Sequence, residues 1–316
     1  LMRMPPGRRG TTSREGLLIR NATVCNPDAK FKADVLVEDG IVKQIGSKVR
    51  GGSQNFVLDA FGRLLMPGFI DVHLQGAGGA DILDGTIEAF QTISRTCVRY
   101  GVTGFLGTTV FHPGGMNHHV ELMSKSCGYH LGGAQLLGIH LEGPFLSPSK
   151  RGMIQPQAIC TPSSVVLDGI LAKSGGMLRM MTIAPELEGA LDIIKALRRH
   201  GVVASFGHSS ASHQEAGRGI DAGISHVTHL FNAMNPLHHR SPGPILAILE
   251  SKVTAQIISD GVHIDPGMVR LAASLLGENR CVLISDGTRA FGIRDGIYLY
   301  DGMEFESKNG VCRLSL

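Results

Sequence analysis

The sequence lacks tryptophan, and aromatic residues make up only 5% of its 316 residues. Charged residues are also few, at 18%, and no block of lysine and arginine is interleaved with aromatics, so a net charge of +3 gives no electrostatic case for nucleic-acid binding. No apolar run reaches the ~18 residues that a membrane-spanning helix needs. What remains is a globular protein, whose 43% hydrophobic residues suffice for a substantial core.

Paired cysteine motifs are absent as well. The six cysteines show no C-x-x-C spacing, which predicts reduced thiols and a cytoplasmic location; they are Cys25, Cys97, Cys127, Cys160, Cys281 and Cys312. The first residues contain arginines and a Pro-Gly pair but no apolar segment of the kind that a secretory signal has. We expect residues 1–16 to be a disordered lead-in, and a chain that starts at Leu1 suggests an incomplete translation.

Residues 17–62 read as a small β domain. Short alternating runs such as A-D-V-L-V and I-V-K-Q-I are separated by Asp39-Gly40, a dipeptide that is typical of hairpin turns.

A different rhythm occupies residues 63–292, where apolar strand-like runs alternate with amphipathic helical stretches. The strand-like runs lie at 64–73, 101–109, 134–142, 177–186, 202–208, 224–229, 253–260 and 281–286, and helices are predicted at 84–99, 163–174, 188–200, 210–222 and 265–275. Eight βα repeats predict an α/β fold of the TIM (β/α)8 barrel type. Counting alone leaves an open doubly wound sheet as the alternative, although no G-x-G-x-x-G follows the first strand.

Residues 293–316 predict a β-hairpin segment, with turns at Asp301-Gly302 and Asn309-Gly310. No eighth helix follows the last predicted barrel strand, so the chain is expected to stop before the barrel is fully covered.

Polar residues stand at the ends of the predicted barrel strands. G-I-H-L-E-G-P-F places Glu142 at the end of an apolar run, and a buried carboxylate there costs several kcal/mol unless something pairs with it. His208 and His229 end two further strands, and the carboxyl ends of barrel strands share one face. One carboxylate and two imidazoles form a recurring catalytic zinc set, so we predict a divalent metal site; the simpler alternative is that each side chain bonds a loop amide.

Two further residues at this face are candidates for catalysis. Asp286 is the candidate general base, and His263 lies where it could polarise a substrate carbonyl. His73 and Gln75 are candidates for a second metal or for contacts behind the first one. His140 faces into the barrel as either a supporting or a packed core residue, and His118-His119 is expected at the surface.

Seven motifs, in family order from about residue 17 onward, resemble N-acetylglucosamine-6-phosphate deacetylase of the amidohydrolase superfamily. They are P-G-F-I-D-V-H, H-L-E-G-P-F, A-P-E, G-H-S, T-H-L-F-N-A-M, D-G-V-H and S-D-G. The resemblance implies hydrolysis of N-acetyl-D-glucosamine 6-phosphate to D-glucosamine 6-phosphate and acetate, in amino-sugar catabolism. It assigns the metal to Glu142, His208 and His229, proton transfer to Asp286, and carbonyl polarisation to His263.

The resemblance also implies substrate contacts and partners. Met153, Ile154, Asn232, Ala233 and Arg240 would contact the sugar phosphate, with Arg240 supplying the cation for the phosphate. His73-Leu74-Gln75 is a hybrid of the two-metal and one-metal patterns, and we favour one ion per subunit, zinc first, with iron, manganese or cobalt as alternatives. A homodimer is expected, with no nucleic-acid or membrane partner.

The resemblance implies that the last barrel helix and the strands returning to the small β-sandwich domain are missing, so the chain is expected to be C-terminally truncated. Three hypotheses for the function therefore stay open. The first is the deacetylase, the second is another amidohydrolase, such as a deaminase or cyclic amidase, and the third is a truncated inactive form that only binds sugar phosphate.

Overall fold

The structure, a computed structural model, describes residues 16–314. The chain divides into two compact units, with the boundary between Gly68 and Phe69. The predicted lead-in lies outside the described residues except for Gly16. The boundary falls six residues after the expected end of the small domain, because Leu64–Leu65 still pair with the first strand of the N-terminal unit.

The N-terminal unit is one mixed five-stranded sheet. Its strands are β1 (Gly16–Cys25), β2 (Lys30–Glu38), β3 (Ile41–Gly46), β4 (Phe56–Asp59) and β5 (Leu64–Leu65), in the order β3-β2-β1-β4 with β5 also beside β1. The predicted turn is confirmed, since Asp39 and Gly40 take left-handed backbone angles (φ 53° and 73°) between the antiparallel β2 and β3. One of its buried apolar clusters consists of Ile19, Ala22, Val24, Ala33 and Val35.

The second unit is built on eight parallel strands with seven helices between them. The strands are β6 (Phe69–Leu74), β9 (Val102–Thr109), β10 (Gln135–Glu142), β11 (Leu178–Ile183), β12 (Val203–Phe206), β13 (His226–Val227), β14 (Thr254–Ile258) and β15 (Cys281–Ile284), and a small pair, β7 (Gly76–Ala77) and β8 (Ala80–Asp81), follows β6. The helices are α1 (Ile87–Arg99), α2 (His118–Ser126), α3 (Ser164–Ser174), α4 (Ala190–Arg199), α5 (His213–Ala222), α6 (Gly243–Glu250) and α7 (Pro266–Leu276). The predicted α/β barrel class is therefore confirmed.

The barrel closes between its first and last strands. The sheet runs β15-β14-β13-β12-β11-β10-β9-β6, and at the carboxyl end Asp286 N donates to His73 O at 3.1 Å while Gln75 N donates to Gly287 O at 2.8 Å. A Cβ at Gly287 would lie 2.7 Å from Leu74 Cδ1, so any larger residue would force the buried Leu74 side chain to move. The closure therefore brings the end of the first barrel strand next to the end of the last one.

Two helices were not predicted. The eight residues of α6, G-P-I-L-A-I-L-E, are apolar on almost every side and carry no amphipathic period. The surface position predicted for His118-His119 is wrong for His119, which is 8% exposed and whose Nε2 donates to Val110 O at 3.0 Å. Burial of a polar side chain by a tertiary hydrogen bond leaves no periodic signal.

The last described segment is an antiparallel sheet of β16 (Gly296–Tyr300), β17 (Met303–Lys308) and β18 (Val311–Leu314). Both predicted turns are confirmed, with left-handed angles at Asp301-Gly302 and Asn309-Gly310. Between residues 285 and 314 the structure contains no helix after β15. Within the range that the structure covers, no helix combines the length and the apolar character needed to cross a membrane.

Candidate metal centre and active site

Glu142, His208 and His229 converge above the carboxyl ends of the barrel strands. Glu142 ends β10, and each histidine lies two residues beyond its strand, β12 or β13. Glu142 Oε1 lies 2.9 Å from His208 Nε2 and 3.1 Å from His229 Nε2, and the two nitrogens are 3.1 Å apart. All three side chains are buried, and within residues 16–314 they form the one group of three or more ligand-type side chains that could hold a metal ion.

The backbone is turned sharply at each of these strand ends. His208, His229 and Asp286 all have positive φ, at 47°, 28° and 49°, a region that residues other than glycine rarely occupy. A Cβ at Gly207 would lie 2.8 Å from side-chain atoms of Thr182 and Thr228, so the chain before His208 passes tightly through the barrel mouth. Such local strain clusters at functional sites, where the surrounding structure holds it.

The hydrogen bonds around the site test whether these residues suit a cation. His208 Nδ1 donates to Lys150 O at 2.7 Å, so in the neutral ring Nε2 carries a lone pair that faces the Glu142 carboxylate. Two electron-pair donors at this distance require a cation or a proton between them. The set of one carboxylate and two imidazoles, one of them oriented by a backbone carbonyl, therefore fits a divalent metal.

His73 and Gln75 lie directly behind this group. Gln75 Nε2 donates to Glu142 Oε2 at 3.1 Å, while His73 Nε2 lies 3.1 Å from Asp286 Oδ1 and 3.5 Å from Glu142 Oε1. Burial by itself lowers the pKa of His73, but the charges of Asp286 and Glu142 outweigh it and raise the pKa to about 10. Burial likewise raises the pKa of Glu142, and the neighbouring His73 and His208 hold it well below its usual range.

His140 lies inside the barrel below these groups. Its Nδ1 donates to Val72 O at 3.2 Å, its Nε2 lies 2.9 Å from Thr182 Oγ1, and its ring stands edge-on to His73 at 4.7 Å. Burial, and then the charge of His73, lower the pKa of His140 well below its usual value. These contacts place His140 under the site rather than at its open side.

A cavity of about 560 Å³ opens above the three converging side chains. The predicted site residues in its wall are Gln75, Glu142, Met153, Ile154, His208, His229, His263 and Asp286. His263 belongs to the loop after β14, and its Nδ1 lies 2.7 Å from Asp260 Oδ2. The described residues of the cavity wall do not include Asn232, Ala233 or Arg240; Arg240 is exposed, and Asn232 and Ala233 lie beside the loop of His208.

Three residues of this region had no role in the sequence prediction. Gln256 is fully buried, and its Oε1 accepts from His73 Nδ1 at 3.0 Å and from His229 N at 3.2 Å. Its place in the apolar run V-T-A-Q-I-I-S-D was a usable signal.

The other two residues are Glu186 and Tyr300. Glu186 bonds the loop after His208. Tyr300 is 2% exposed and lines the cavity, and its hydroxyl has no partner among the described residues. Burial, and then the charges of Glu142 and Asp81, raise the pKa of Tyr300 well above its usual value.

Comparisons with known proteins agree with this architecture. Residues 64–294 match the amidohydrolase family. The chain is 32% identical over 309 residues to N-acetylglucosamine-6-phosphate deacetylase of Bacillus subtilis (strain 168), covering 95% of this chain and 78% of the relative. It is 35% identical over 252 residues to N-acetylgalactosamine-6-phosphate deacetylase of Escherichia coli O157:H7, covering 79% and 67%.

A solved structure shows the same arrangement of elements. It is a variant of N-acetyl-D-glucosamine-6-phosphate deacetylase from Mycobacterium smegmatis in complex with N-acetyl-D-glucosamine-6-phosphate, with a TM-score of 0.84 and 31% identity over 96% of this chain and 78% of that one. The sequence motifs, the barrel and these relatives agree. The chain belongs to the amidohydrolase family and, within it, to the N-acetylglucosamine-6-phosphate deacetylases.

Proposed function

We propose that the chain hydrolyses N-acetyl-D-glucosamine 6-phosphate to D-glucosamine 6-phosphate and acetate, in amino-sugar catabolism. One observation carries the proposal: Glu142, His208, His229 and Asp286 surround one cavity in a chain whose relatives at this level of identity are sugar-phosphate deacetylases. The deaminase and cyclic-amidase alternatives lack comparable support. The relatives at 32% and 35% identity are named as sugar-phosphate deacetylases, whereas N-isopropylammelide isopropylaminohydrolase from Burkholderia multivorans shares only the fold, at 14% identity.

We assign the metal to Glu142, His208 and His229 and propose one divalent ion per subunit, zinc first, with iron, manganese or cobalt as alternatives. When bound, such an ion supplies Lewis-acid polarisation of the amide carbonyl and lowers the pKa of water. Gln75 holds the second oxygen of Glu142, and His73 stands between Glu142 and Asp286. The three ligand side chains are buried, and the low local dielectric strengthens their attraction for a cation.

Asp286 is proposed as the group that moves the proton. Its side chain is 19% exposed and lines the cavity, so a substrate and a water can reach it. It accepts a proton as water adds to the acetamide carbon, and it returns that proton to the nitrogen as the C–N bond breaks, so that glucosamine phosphate and acetate result. His263 is proposed to face the carbonyl oxygen with Nε2, because its Nδ1 is paired with Asp260 Oδ2; donation from Nε2 as well then requires the doubly protonated ring.

The sugar and its phosphate are proposed to contact five residues. Met153 and Ile154 are in the cavity wall, where Ile154 is 2% exposed and offers only apolar surface. Asn232 and Ala233 follow His229, and the exposed Arg240 would supply the cation for the phosphate. A homodimer and a cytoplasmic location complete the proposal; the latter is supported by six cysteines without a disulfide.

The second candidate substrate is N-acetyl-D-galactosamine 6-phosphate. It is favoured by the 35% identity to a deacetylase named for that substrate, which is slightly above the identity to the glucosamine enzyme. The two sugars differ at one hydroxyl, so a site that bonds that hydroxyl discriminates between them by kcat/KM.

Acetate release tests the proposal. The zinc-loaded chain is assayed with both sugar phosphates, beside Asp286→Asn and the control Asp221→Asn, which changes an exposed carboxylate on α5. We expect turnover by the parent and the control, and a loss of about 10²–10⁴-fold in kcat for Asp286→Asn, since that range is typical of general acid–base groups. Zinc and sugar-phosphate binding without acetate release from either sugar would contradict the proposal and favour the inactive binding form. Light scattering tests the homodimer.

A further inference from the structure

We propose that Glu186 is a positioning residue. It fixes the position of the loop that carries the metal ligand His208 relative to the substrate segment at Asn232-Ala233. Glu186 is not a predicted site residue and does not line the cavity within the described residues. The proposal rests on the proposed function for the roles of His208 and of the 232–233 segment.

The carboxylate of Glu186 is bonded entirely to the two residues that follow His208. Its Oε2 accepts from Ser209 Oγ at 2.6 Å, and its Oε1 accepts from Ser210 N at 2.6 Å and from Ser210 Oγ at 3.1 Å. Hydrogen bonds to a carboxylate are among the stronger ones in proteins. Three of them on two adjacent residues constrain both the direction and the twist of the loop that leaves His208.

These bonds are not needed to start the next helix. The α5 helix has its own cap, in which Ser212 accepts from Glu215 N at 3.3 Å and Glu215 Oε2 accepts from Ser212 N at 2.8 Å. Glu186 therefore acts on the residues between His208 and that cap. These residues directly follow the left-handed backbone angle of His208.

The same stretch is joined to the substrate segment. Ser209 N donates to Ala233 O at 3.1 Å, and Asn235 Nδ2 donates to Ser210 O at 2.7 Å. On its other side, Ser147 N donates to His208 O at 2.9 Å, and Ser147 belongs to the loop that follows Glu142. Residues 208–210 thus link the loop after Glu142 to the segment that follows His229. The carboxylate of Glu186 fixes residues 209 and 210 in this position.

The origin of Glu186 in the fold supports this role. It follows β11, and Ala184 N donates to Phe145 O at 2.9 Å, which anchors the start of A-P-E to the loop of Glu142. Glu186 therefore extends from a fixed point of the barrel mouth, and its bonds place residues 209 and 210 relative to β11, which carries none of the three proposed ligands.

Glu186→Gln tests the inference, with Glu188→Gln as the matched control, because Glu188 is an exposed glutamate two residues further on. Zinc affinity is measured by chelator competition, Tm is measured on zinc-free and zinc-loaded protein, and kcat and KM come from acetate release. We expect zinc affinity to fall about 10-fold or more and KM to rise by a similar factor in Glu186→Gln, since partners behind metal ligands typically change affinity by 10–100-fold. The control should match the parent.

Ser209→Ala and Ser210→Ala, alone and with Glu186→Gln, show whether the bonds act together. If the inference holds, each serine variant lowers zinc affinity in the parent and adds little in the Glu186→Gln background. A lower Tm with unchanged zinc affinity and KM would overturn the inference, because a purely structural carboxylate gives that result.

The two proposals fail separately. Zinc affinity needs no substrate, so weakened zinc binding by Glu186→Gln in a chain that releases no acetate would sink the proposed function and leave the positioning role standing. Normal acetate release by the parent together with normal zinc affinity and KM in Glu186→Gln would overturn the positioning role alone.

Discussion

His208 Nε2 lies 2.9 Å from Glu142 Oε1, and the opposite ring nitrogen of His208 donates to Lys150 O. The backbone carbonyl thereby selects the tautomer whose lone pair faces a carboxylate. This relationship accounts for the buried glutamate at the end of β10. Its carboxylate has the imidazoles of His208, His229 and His73 and the amide of Gln75 as neighbours, and this set of groups suits a divalent cation.

Metal removal should lower the stability of the barrel unit. A buried carboxylate facing two imidazoles is stabilised by a bound cation, and a ligand at about 1,000 times its Kd adds ~4 kcal/mol to the folded state. We expect Tm to fall on chelation and to recover with added zinc, as measured by differential scanning fluorimetry. Glu142→Gln should be insensitive to the chelator, and equal chelator sensitivity in both proteins would contradict the site.

Gln75→Ala should weaken metal binding without removing a metal ligand. Gln75 Nε2 donates to the Glu142 oxygen that does not face the histidines, so its loss frees the carboxylate to rotate. We expect zinc affinity in chelator competition to fall about 10–100-fold. Gln44→Ala, at an exposed position of β3, is the control, and a parent-like affinity in Gln75→Ala would show that Glu142 is held by other contacts.

Tyr300→Phe should raise thermal stability. The Tyr300 hydroxyl is buried and unpartnered among the described residues, and a buried polar group without a hydrogen bond costs about 1–3 kcal/mol. Tyr298→Phe is the comparison, because its hydroxyl donates to Arg294 O at 2.5 Å, and its loss should destabilise slightly. Opposite signs of the two Tm shifts support the assignment, whereas a clear loss of stability in Tyr300→Phe would show that its hydroxyl has a partner.

Asp81 should make stability depend on pH. Its Oδ1 accepts from Leu83 N, while burial, opposed by that bond and by Arg289, raises the pKa of Asp81 to about 7. A raised carboxyl pKa means that the folded state binds more protons than the unfolded state between about pH 4 and 7. The stabilisation is therefore complete below about pH 4 and is lost as the pH rises through 7.

Asp81→Asn isolates this contribution, because the amide keeps the accepting oxygen and cannot ionise. We expect the free energy of unfolding of the parent to fall relative to the variant between pH 4 and 7, by about 1.4 kcal/mol for each unit of the pKa shift. Denaturant unfolding at several pH values measures the difference. Parallel curves for the two proteins would show that Asp81 titrates normally.

Local patterns predicted much of the fold. The β-strands of the barrel and the three hairpin turns follow from apolar runs and from Asp-Gly and Asn-Gly pairs, which act over a few residues. The first barrel strand was expected from Leu64, but Pro67-Gly68 separates two strands of different units, and an apolar run cannot show which sheet each half joins. The helix α6 was missed because an apolar segment of eight residues has no polar face.

Which chemical groups stand at the strand ends is visible in the chain alone, because Glu142, His208, His229 and Asp286 come at the ends of apolar runs and the ends of barrel strands share one face. How those groups are held is visible only in the folded protein. Gln256 reaches His73 across 183 residues and Glu186 reaches Ser210 across 24, while closure of the sheet sets Asp286 beside His73. Such contacts depend on where separate strands and loops meet in space, and hydrogen bonds of this kind leave no period in the chain that makes them.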